Sequence, residues 1–86
     1  MNKKFPFEII LVGQRIRQFR LANKLTQSHL ATMCDVDIRT IQRIENGEVD
    51  PRAYTLQMIA KALDVEFSLF VENKSDESQE FSLMYF

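Results

Sequence analysis

The sequence has little of what several protein classes require. Its one cysteine, Cys34, cannot form a disulfide within the chain, and one histidine, His29, leaves too few ligands for a structural zinc site. Its two glycines are too few for a glycine-rich phosphate loop. No motif places a nucleophile or carboxylate beside His29, which favours a surface histidine over a general base. We therefore expect no enzyme, metal site or cofactor.

Long apolar runs are also missing. The stretch Ile9 to Val12 is far shorter than the roughly 18–20 residues that a membrane span needs, and it is too short for a signal peptide. We expect a cytoplasmic protein with no membrane segment within these residues. At 86 residues the chain has room for one domain.

The charge is unevenly distributed along the chain. Its net value of -1 lacks the basic excess that is typical of nucleic-acid binding. Residues 14–63 nevertheless hold eight basic and five acidic side chains, which is a balance of +3. Residues 72–80 hold four acids against one lysine. A cationic module followed by an acidic tail is compatible with DNA.

Helical periodicity begins near the N-terminus. The first predicted helix runs from about Phe7 to Ala22. Its apolar stripe consists of Ile9, Val12, Ile16 and Phe19. Thr26 is a good N-cap for a second helix, in which the spacing of Leu30, Met33 and Cys34 predicts that all three face inward.

Three further helices are predicted. Asp37 can cap a third helix over Ile38 to Glu45, and Asn46-Gly47 can end it. Pro51 opens a fourth segment, and a short fifth helix is predicted within residues 64–70. The apolar positions of the fourth segment are Leu56, Ile59, Ala60 and Leu63. The sequence predicts an all-α fold, with no strand signal before residue 66.

The C-terminal residues form a polar and then apolar tail. From Asn73 to Glu80 periodic apolar residues are missing, which predicts a flexible, solvated segment. The end, Phe81 to Phe86, is apolar again and should pack against its own domain or a partner chain. We therefore divide the chain into a domain at 7–71 and a tail at 72–86.

Four strings of residues carry a family resemblance. They are Gly13-x-x-Ile16-x-x-x-Arg20; Leu25-Thr26-Gln27-x-x-Leu30-Ala31; Val36-x-x-x-x-Ile41-x-x-Ile44-Glu45-Asn46-Gly47; and Pro51 with Leu56-x-x-Ile59-Ala60-x-Ala62-Leu63. Together they closely resemble the Cro and phage-repressor helix-turn-helix family, often called XRE, over about residues 9 to 70. The resemblance implies a compact bundle of four to five helices that binds two-fold symmetric operators as a homodimer. One departure is Asp35, where the family often has glycine.

The third predicted helix has two different faces. At about 100° per residue, Ile41, Ile44 and Glu45 define the side that faces the bundle. The opposite direction falls on Arg39 and Arg43. The helix is thus predicted to be held on one side and to present arginines on the other.

Those arginines are suited to reading DNA bases in the major groove. Arginine is the commonest side chain that forks onto guanine, so Arg39 and Arg43 favour half-sites containing guanine. Gln42, on one edge of that face, can pair with adenine, and Ile38 or Thr40 can touch a thymine methyl group. The alternative is that the two arginines are solvated surface charges.

Other residues are predicted to contact phosphate or to stabilise the fold. Thr26 and Gln27 begin the second helix, whose free N–H groups favour a phosphate, and the resemblance implies a DNA contact at Gln27. Thr26 can instead be a plain N-cap, and Asn46 a helix stop or a phosphate contact. The resemblance pairs Arg20 with Glu45 as a structural contact; the alternative for Arg20 is a phosphate contact.

These features predict a DNA-binding transcriptional regulator, most simply a repressor, whose partner is a palindromic double-stranded operator. An antitoxin that represses its own operon uses the same module at this length, so the sequence leaves that subtype open. A different class is a protein-interaction or coactivator module that keeps the fold without specific DNA binding. Salt-dependent binding to duplex DNA separates the two classes.

Overall fold

The computed structural model describes residues 6–71 of the chain. Within that range it has five helices and no strand, which confirms the all-α prediction. The helices are α1 (Pro6–Ala22), α2 (Gln27–Cys34), α3 (Ile38–Glu45), α4 (Ala53–Leu63) and α5 (Ser68–Val71). The predicted tail at 72–86, with its apolar end Phe81 to Phe86, lies outside the described residues.

The N-terminal ends of α2 and α3 are capped as the sequence predicted. Thr26 Oγ1 accepts a hydrogen bond from the backbone N–H of His29 at 3.0 Å, and Asp37 Oδ1 accepts one from that of Arg39 at 3.3 Å. Each cap occupies one of the N–H groups that a helix start leaves without a partner. Both helices have only eight residues, so these bonds help to define where they begin.

The first four helices all end in the same way. One or two positions after each helix lies a residue with a positive φ: 60° at Lys24, 57° at Asp35, 74° at Gly47 and 59° at Asp64. The N–H of the following residue bonds back to the last turn of the helix, the pattern known as the Schellman motif. Leu25, Val36 and Val65 make that bond after α1, α2 and α4, and all three pack against the core. The ends of α1, α2 and α4 are therefore also hydrophobic anchors.

Three of the four positive-φ positions carry a side chain that raises the energy of this conformation. Because glycine has no Cβ, Lys24→Gly and Asp64→Gly should each raise the free energy of unfolding by roughly 0.5–1 kcal/mol. Asp64→Gly also removes a carboxylate from the C-terminal end of α4, where the helix dipole disfavours negative charge. Urea denaturation measures both effects. Asp64→Ala, which removes the charge but keeps a Cβ, should be less stable than Asp64→Gly; equal stability of the two variants would contradict the backbone explanation.

The core lies where α1 and α4 meet the helix pair α2 and α3. Its fully buried large side chains are Ile16, Leu30, Ile41, Ile44, Ile59, Leu63 and Phe70. Helix α1 packs against α3, α4 and α5, and α2 packs against α3 and α4. The rings of Phe19 and Phe70 meet edge to face with centroids 5.9 Å apart, which joins α1 to α5. The short helix α5 thus closes the bundle over α1.

The prediction that Met33 faces inward is wrong. Its side chain is 44% exposed and lines a shallow groove with Met58, Lys61 and Ala62. The buried face of α2 is formed by Leu30, Ala31 and Cys34. At about 100° per residue, Met33 lies roughly 100° from the centre of that face, and Ala31 takes the inward place.

None of the described helices is long and apolar enough to cross a membrane.

Candidate nucleic-acid interface

Helices α2 and α3 form a helix-turn-helix around a three-residue turn. The turn runs from Asp35, whose backbone is left-handed, to Asp37, the N-cap of α3. Aspartate tolerates this conformation better than most residues, which explains how Asp35 fills a position where glycine is common. Val36, between them, bonds back to Ala31 O at 3.0 Å and packs against the core. The turn therefore holds α3 in a defined orientation to α2.

One face of α3 is buried and the opposite face is exposed. Ile41 is 0% exposed, Ile44 1% and Glu45 7%. Arg39 and Arg43 lie exposed on the other side. Between these faces lie Ile38, which is 37% exposed, and the half-buried Thr40 and Gln42. The structure thus brings the predicted base-reading residues onto one short, accessible helix.

A buried ion pair holds the C-terminal end of α3. Arg20 Nε donates to Glu45 Oε2 at 2.7 Å, and Arg20 Nη2 donates to Glu45 Oε1 at 3.0 Å, which is a forked geometry. Arg20 Nη1 also donates to the Leu25 carbonyl at 2.8 Å. Only 9% of the Arg20 side chain and 1% of the Glu45 side chain are exposed. Arg20 therefore joins α1, the loop after it and α3.

The predicted phosphate contact Gln27 belongs to the same network. Its Nε2 donates to Glu45 Oε1 at 3.0 Å, and the residue is half-buried. The neighbouring Thr26 is exposed and caps α2. Gln27 thus connects the start of α2, where N–H groups favour an anion, to the end of α3. Sequence reasoning missed this bond because it joins positions 18 residues apart.

Asn46, the remaining predicted contact, lies exposed just after α3. Its Nδ2 donates to Glu48 Oε2 at 3.2 Å. The backbone N–H of Glu48 in turn donates to the Arg43 carbonyl at 2.9 Å. The Glu48 carboxylate is therefore hydrogen-bonded to Asn46 at the C-terminal end of α3, a feature that sequence reasoning missed.

Cys34 and His29 lie in different environments. Cys34 is 3% exposed in the core, and burial raises the pKa of its thiol, which favours the unreactive protonated form. His29 is exposed on α2. Among residues 6–71, no three His, Cys, Asp or Glu side chains come together as metal ligands would.

Comparison with known proteins identifies the class to which this fold and site belong. The sequence profile of the Helix-turn-helix family matches residues 16–70, and the chain belongs to this family. The family consists of DNA-binding transcriptional regulators and not of enzymes, so the chain carries a helix-turn-helix DNA-binding fold.

Two curated relatives show the range of the similarity. An uncharacterized HTH-type transcriptional regulator, y4aM of Sinorhizobium fredii, is 37% identical over 70 residues, which is 81% of this chain and 49% of the relative. The immunity repressor protein of Bacillus phage phi105 is 37% identical over 60 residues, 70% of this chain and 42% of the relative. The chain thus spans less than half the length of either protein.

Solved structures share the architecture. The restriction-modification controller protein C.AhdI from Aeromonas hydrophila superposes with a TM-score of 0.69 at 30% identity, covering 71% of this chain and 92% of that protein. An HTH_3 family transcriptional regulator from Vibrio cholerae has a TM-score of 0.71 at 26% identity, covering 76% of this chain and 36% of that protein. Both are named as regulators or controllers.

Proposed function

We propose that the chain is a sequence-specific repressor that binds a palindromic operator as a homodimer and inserts α3 into the major groove. The observation that carries the proposal is the two-sided character of α3. Ile41, Ile44 and Glu45 hold it from within, while Arg39 and Arg43 lie exposed on the outside. A helix so held can enter the groove as a rigid unit. For a protein with this activity we expect a cytoplasmic location, where it has access to DNA.

Each of the predicted base-reading side chains of α3 is suited to a particular base edge. Arg39 and Arg43 can donate two hydrogen bonds to O6 and N7 of guanine. Gln42, on the edge of this face, suits adenine, and the half-buried Thr40 and the partly exposed Ile38 suit the methyl group of thymine. We therefore expect half-sites that contain guanine.

Phosphate contacts on either side of the groove would fix the register of α3. Thr26 can donate its hydroxyl proton to a phosphate while its oxygen accepts from His29, because a hydroxyl is both donor and acceptor. Gln27 lies beside it at the positive end of α2. Asn46 would hold the phosphate backbone from the opposite end of α3.

Dimerisation follows from the small size of the reading helix. Eight residues of α3 reach too few base pairs for selective binding by one copy. Two copies related by a two-fold axis would place their α3 helices about 34 Å apart and read half-sites about 10 base pairs apart. The immunity repressor among the relatives supports repression as the outcome of binding.

Selection of bound duplexes from a random pool tests the proposal. We expect a palindrome with half-site centres about 10 base pairs apart, and two chains per duplex in sedimentation analysis. Affinity for mixed-sequence DNA should fall steeply with salt, because phosphate contacts release counterions. If the chain were a protein-interaction module, the selection would recover no common sequence and the chain would show no salt-dependent binding to DNA. A single chain bound to an asymmetric site would contradict the homodimer.

The acid beside α3 gives a further expected result. If Asn46 contacts a phosphate, the carboxylate of Glu48 lies within roughly 7 Å of that phosphate and repels it by about 0.6 kcal/mol in water. Glu48→Gln should therefore tighten binding about threefold per half-site, to specific and mixed DNA alike. Filter binding at low salt measures this change. The control Glu66→Gln makes the same change in net charge at an exposed position before α5. An equal gain in DNA affinity in this control would show that net charge, and not the position of Glu48, causes the effect.

A further inference from the structure

The only two glycines of the chain lie at one contact, between α1 and the C-terminal end of α3. We call this contact the α1–α3 seam; it comprises Ile10 and Gly13 on α1, and Ile44, Glu45 and Gly47 at the end of α3. A Cβ at Gly13 would overlap the carbonyl oxygen of Ile44 and lie 3.0 Å from that of Glu45. A Cβ at Gly47 would lie 2.8 Å from the Ile10 side chain.

The two glycines are required for different reasons. Gly47 has a φ of 74°, so its backbone conformation already favours glycine. Gly13 lies inside α1, where alanine is the better helix former. Only the packing of backbone against backbone explains a glycine at position 13. Any side chain there must displace the main chain of α3, because no flexible side chain can move aside instead.

The atom that Gly13 approaches belongs to the motif that ends α3. The Ile44 carbonyl accepts the N–H of Gly47 at 3.1 Å, and the adjacent Arg43 carbonyl accepts the N–H of Glu48 at 2.9 Å. To admit a Cβ at ordinary contact distance, this end of α3 must move by roughly 1 Å.

The displacement cannot be a simple translation. The end of α3 is also tied to α1 by the bond from Arg20 Nε to Glu45 Oε2, at 2.7 Å. Arg20 lies seven residues, about 10 Å, further along α1 than Gly13. A helix that is pushed at one point and held at another tilts, which moves Arg39 and Arg43 by different amounts.

We propose that Gly13 is a positioning residue for DNA reading. Because Gly13 has no side chain, the backbone of α1 contacts that of α3 directly. This contact sets the distance and tilt of α3 relative to α1, and therefore the positions of Arg39 and Arg43. This inference rests on the proposed DNA-binding function. Bidentate contacts to guanine require both donors in place, so a shift of about 1 Å weakens specific contacts more than contacts to phosphate. A side chain at position 13 should therefore give a folded protein that has lost selectivity for its operator.

The test compares Gly13→Ala with Val12→Ala. Val12 is the adjacent residue on α1 and is 4% exposed, so its truncation destabilises the core without pushing on α3. Both variants are measured at 5 °C with trimethylamine oxide, which favours the folded state, and circular dichroism gives the folded fraction. One readout is the ratio of affinities for the selected duplex and a mixed-sequence duplex. The second is the set of amide chemical shifts of residues 38–47, recorded without DNA.

We expect Gly13→Ala to lower the affinity ratio at least tenfold and to shift the α3 amides, while Val12→Ala keeps the ratio and the α3 shifts near those of the unmodified protein. A folded Gly13→Ala with an unchanged ratio and unchanged α3 shifts would overturn the inference. Failure to fold even with the osmolyte would also overturn it, because the seam would then hold the fold and not the position of α3. If the unmodified protein selects no duplex, the proposed function fails, and the amide shifts alone decide whether Gly13 positions α3.

Discussion

Arg20→Ala should lower the free energy of unfolding by about 3–5 kcal/mol, because it leaves the carboxylate of Glu45 buried without its cationic partner. That carboxylate accepts two bonds from Arg20 and one from Gln27, and only the Gln27 bond would survive. The Leu25 carbonyl would lose a donor as well. Since small domains are stable by about 5–15 kcal/mol, a large part of the total would be lost.

Thermal and urea denaturation measure this effect, and Arg17→Ala is its matched control. Arg17 lies exposed on the same helix, so its loss should change stability by less than about 0.5 kcal/mol. Arg20→Lys keeps the charge but not the fork, and should be intermediate. Under conditions where Arg20→Ala is folded, its DNA affinity should stay close to that of the unmodified protein. A stable Arg20→Ala that binds the selected operator and mixed-sequence DNA equally poorly would instead indicate a phosphate contact.

Much of the fold could be predicted because its signals are local. The N-caps Thr26 and Asp37 and the stop at Gly47 depend on neighbours within a few residues, and the helix boundaries follow from them. Met33 shows where such reasoning fails. Its spacing from Leu30 fits a helical stripe, but which side of that stripe is buried depends on where α4 packs, and a local pattern does not contain that information.

The two faces of α3 followed from its periodicity and the Arg20–Glu45 pair from the family resemblance, whereas the other long-range bonds were not predicted. The exposed and buried faces of α3 follow from helical periodicity alone. The bond from Gln27 Nε2 to Glu45 Oε1, which helps to position α3, joins residues 18 positions apart. The bond from Arg15 Nη1 to the Phe70 carbonyl, at 3.1 Å, joins α1 to α5 across 55 positions. A weaker signal was present at Gly13, because a glycine inside a predicted helix usually has a packing reason.

The double variant Arg39→Ala/Arg43→Ala should abolish selective DNA binding while leaving the fold intact. Both side chains lie on the exposed face of α3, and the helix is held by Ile41 and Ile44, which the substitutions do not touch. Arg43 lies in the last turn, where a cation stabilises the helix dipole, so a loss of up to about 0.5 kcal/mol in stability is expected. Each arginine that forks onto guanine contributes about 1–3 kcal/mol to specific binding, so a dimer lacking four of them should lose at least hundredfold in affinity.

The single variants separate the two ways in which an arginine can act. If Arg39 or Arg43 reads a base, its replacement by alanine relaxes the preference at one position of each half-site and leaves the salt dependence nearly unchanged. If it contacts phosphate, binding weakens for all sequences and the salt slope falls by about one for each lost contact. The control Arg17→Gln/Lys61→Gln removes two positive charges from exposed positions on α1 and α4, so it measures the effect of net charge alone. A folded Arg39→Ala/Arg43→Ala protein that binds the selected operator as tightly and as selectively as the unmodified chain would show that α3 is not the reading helix.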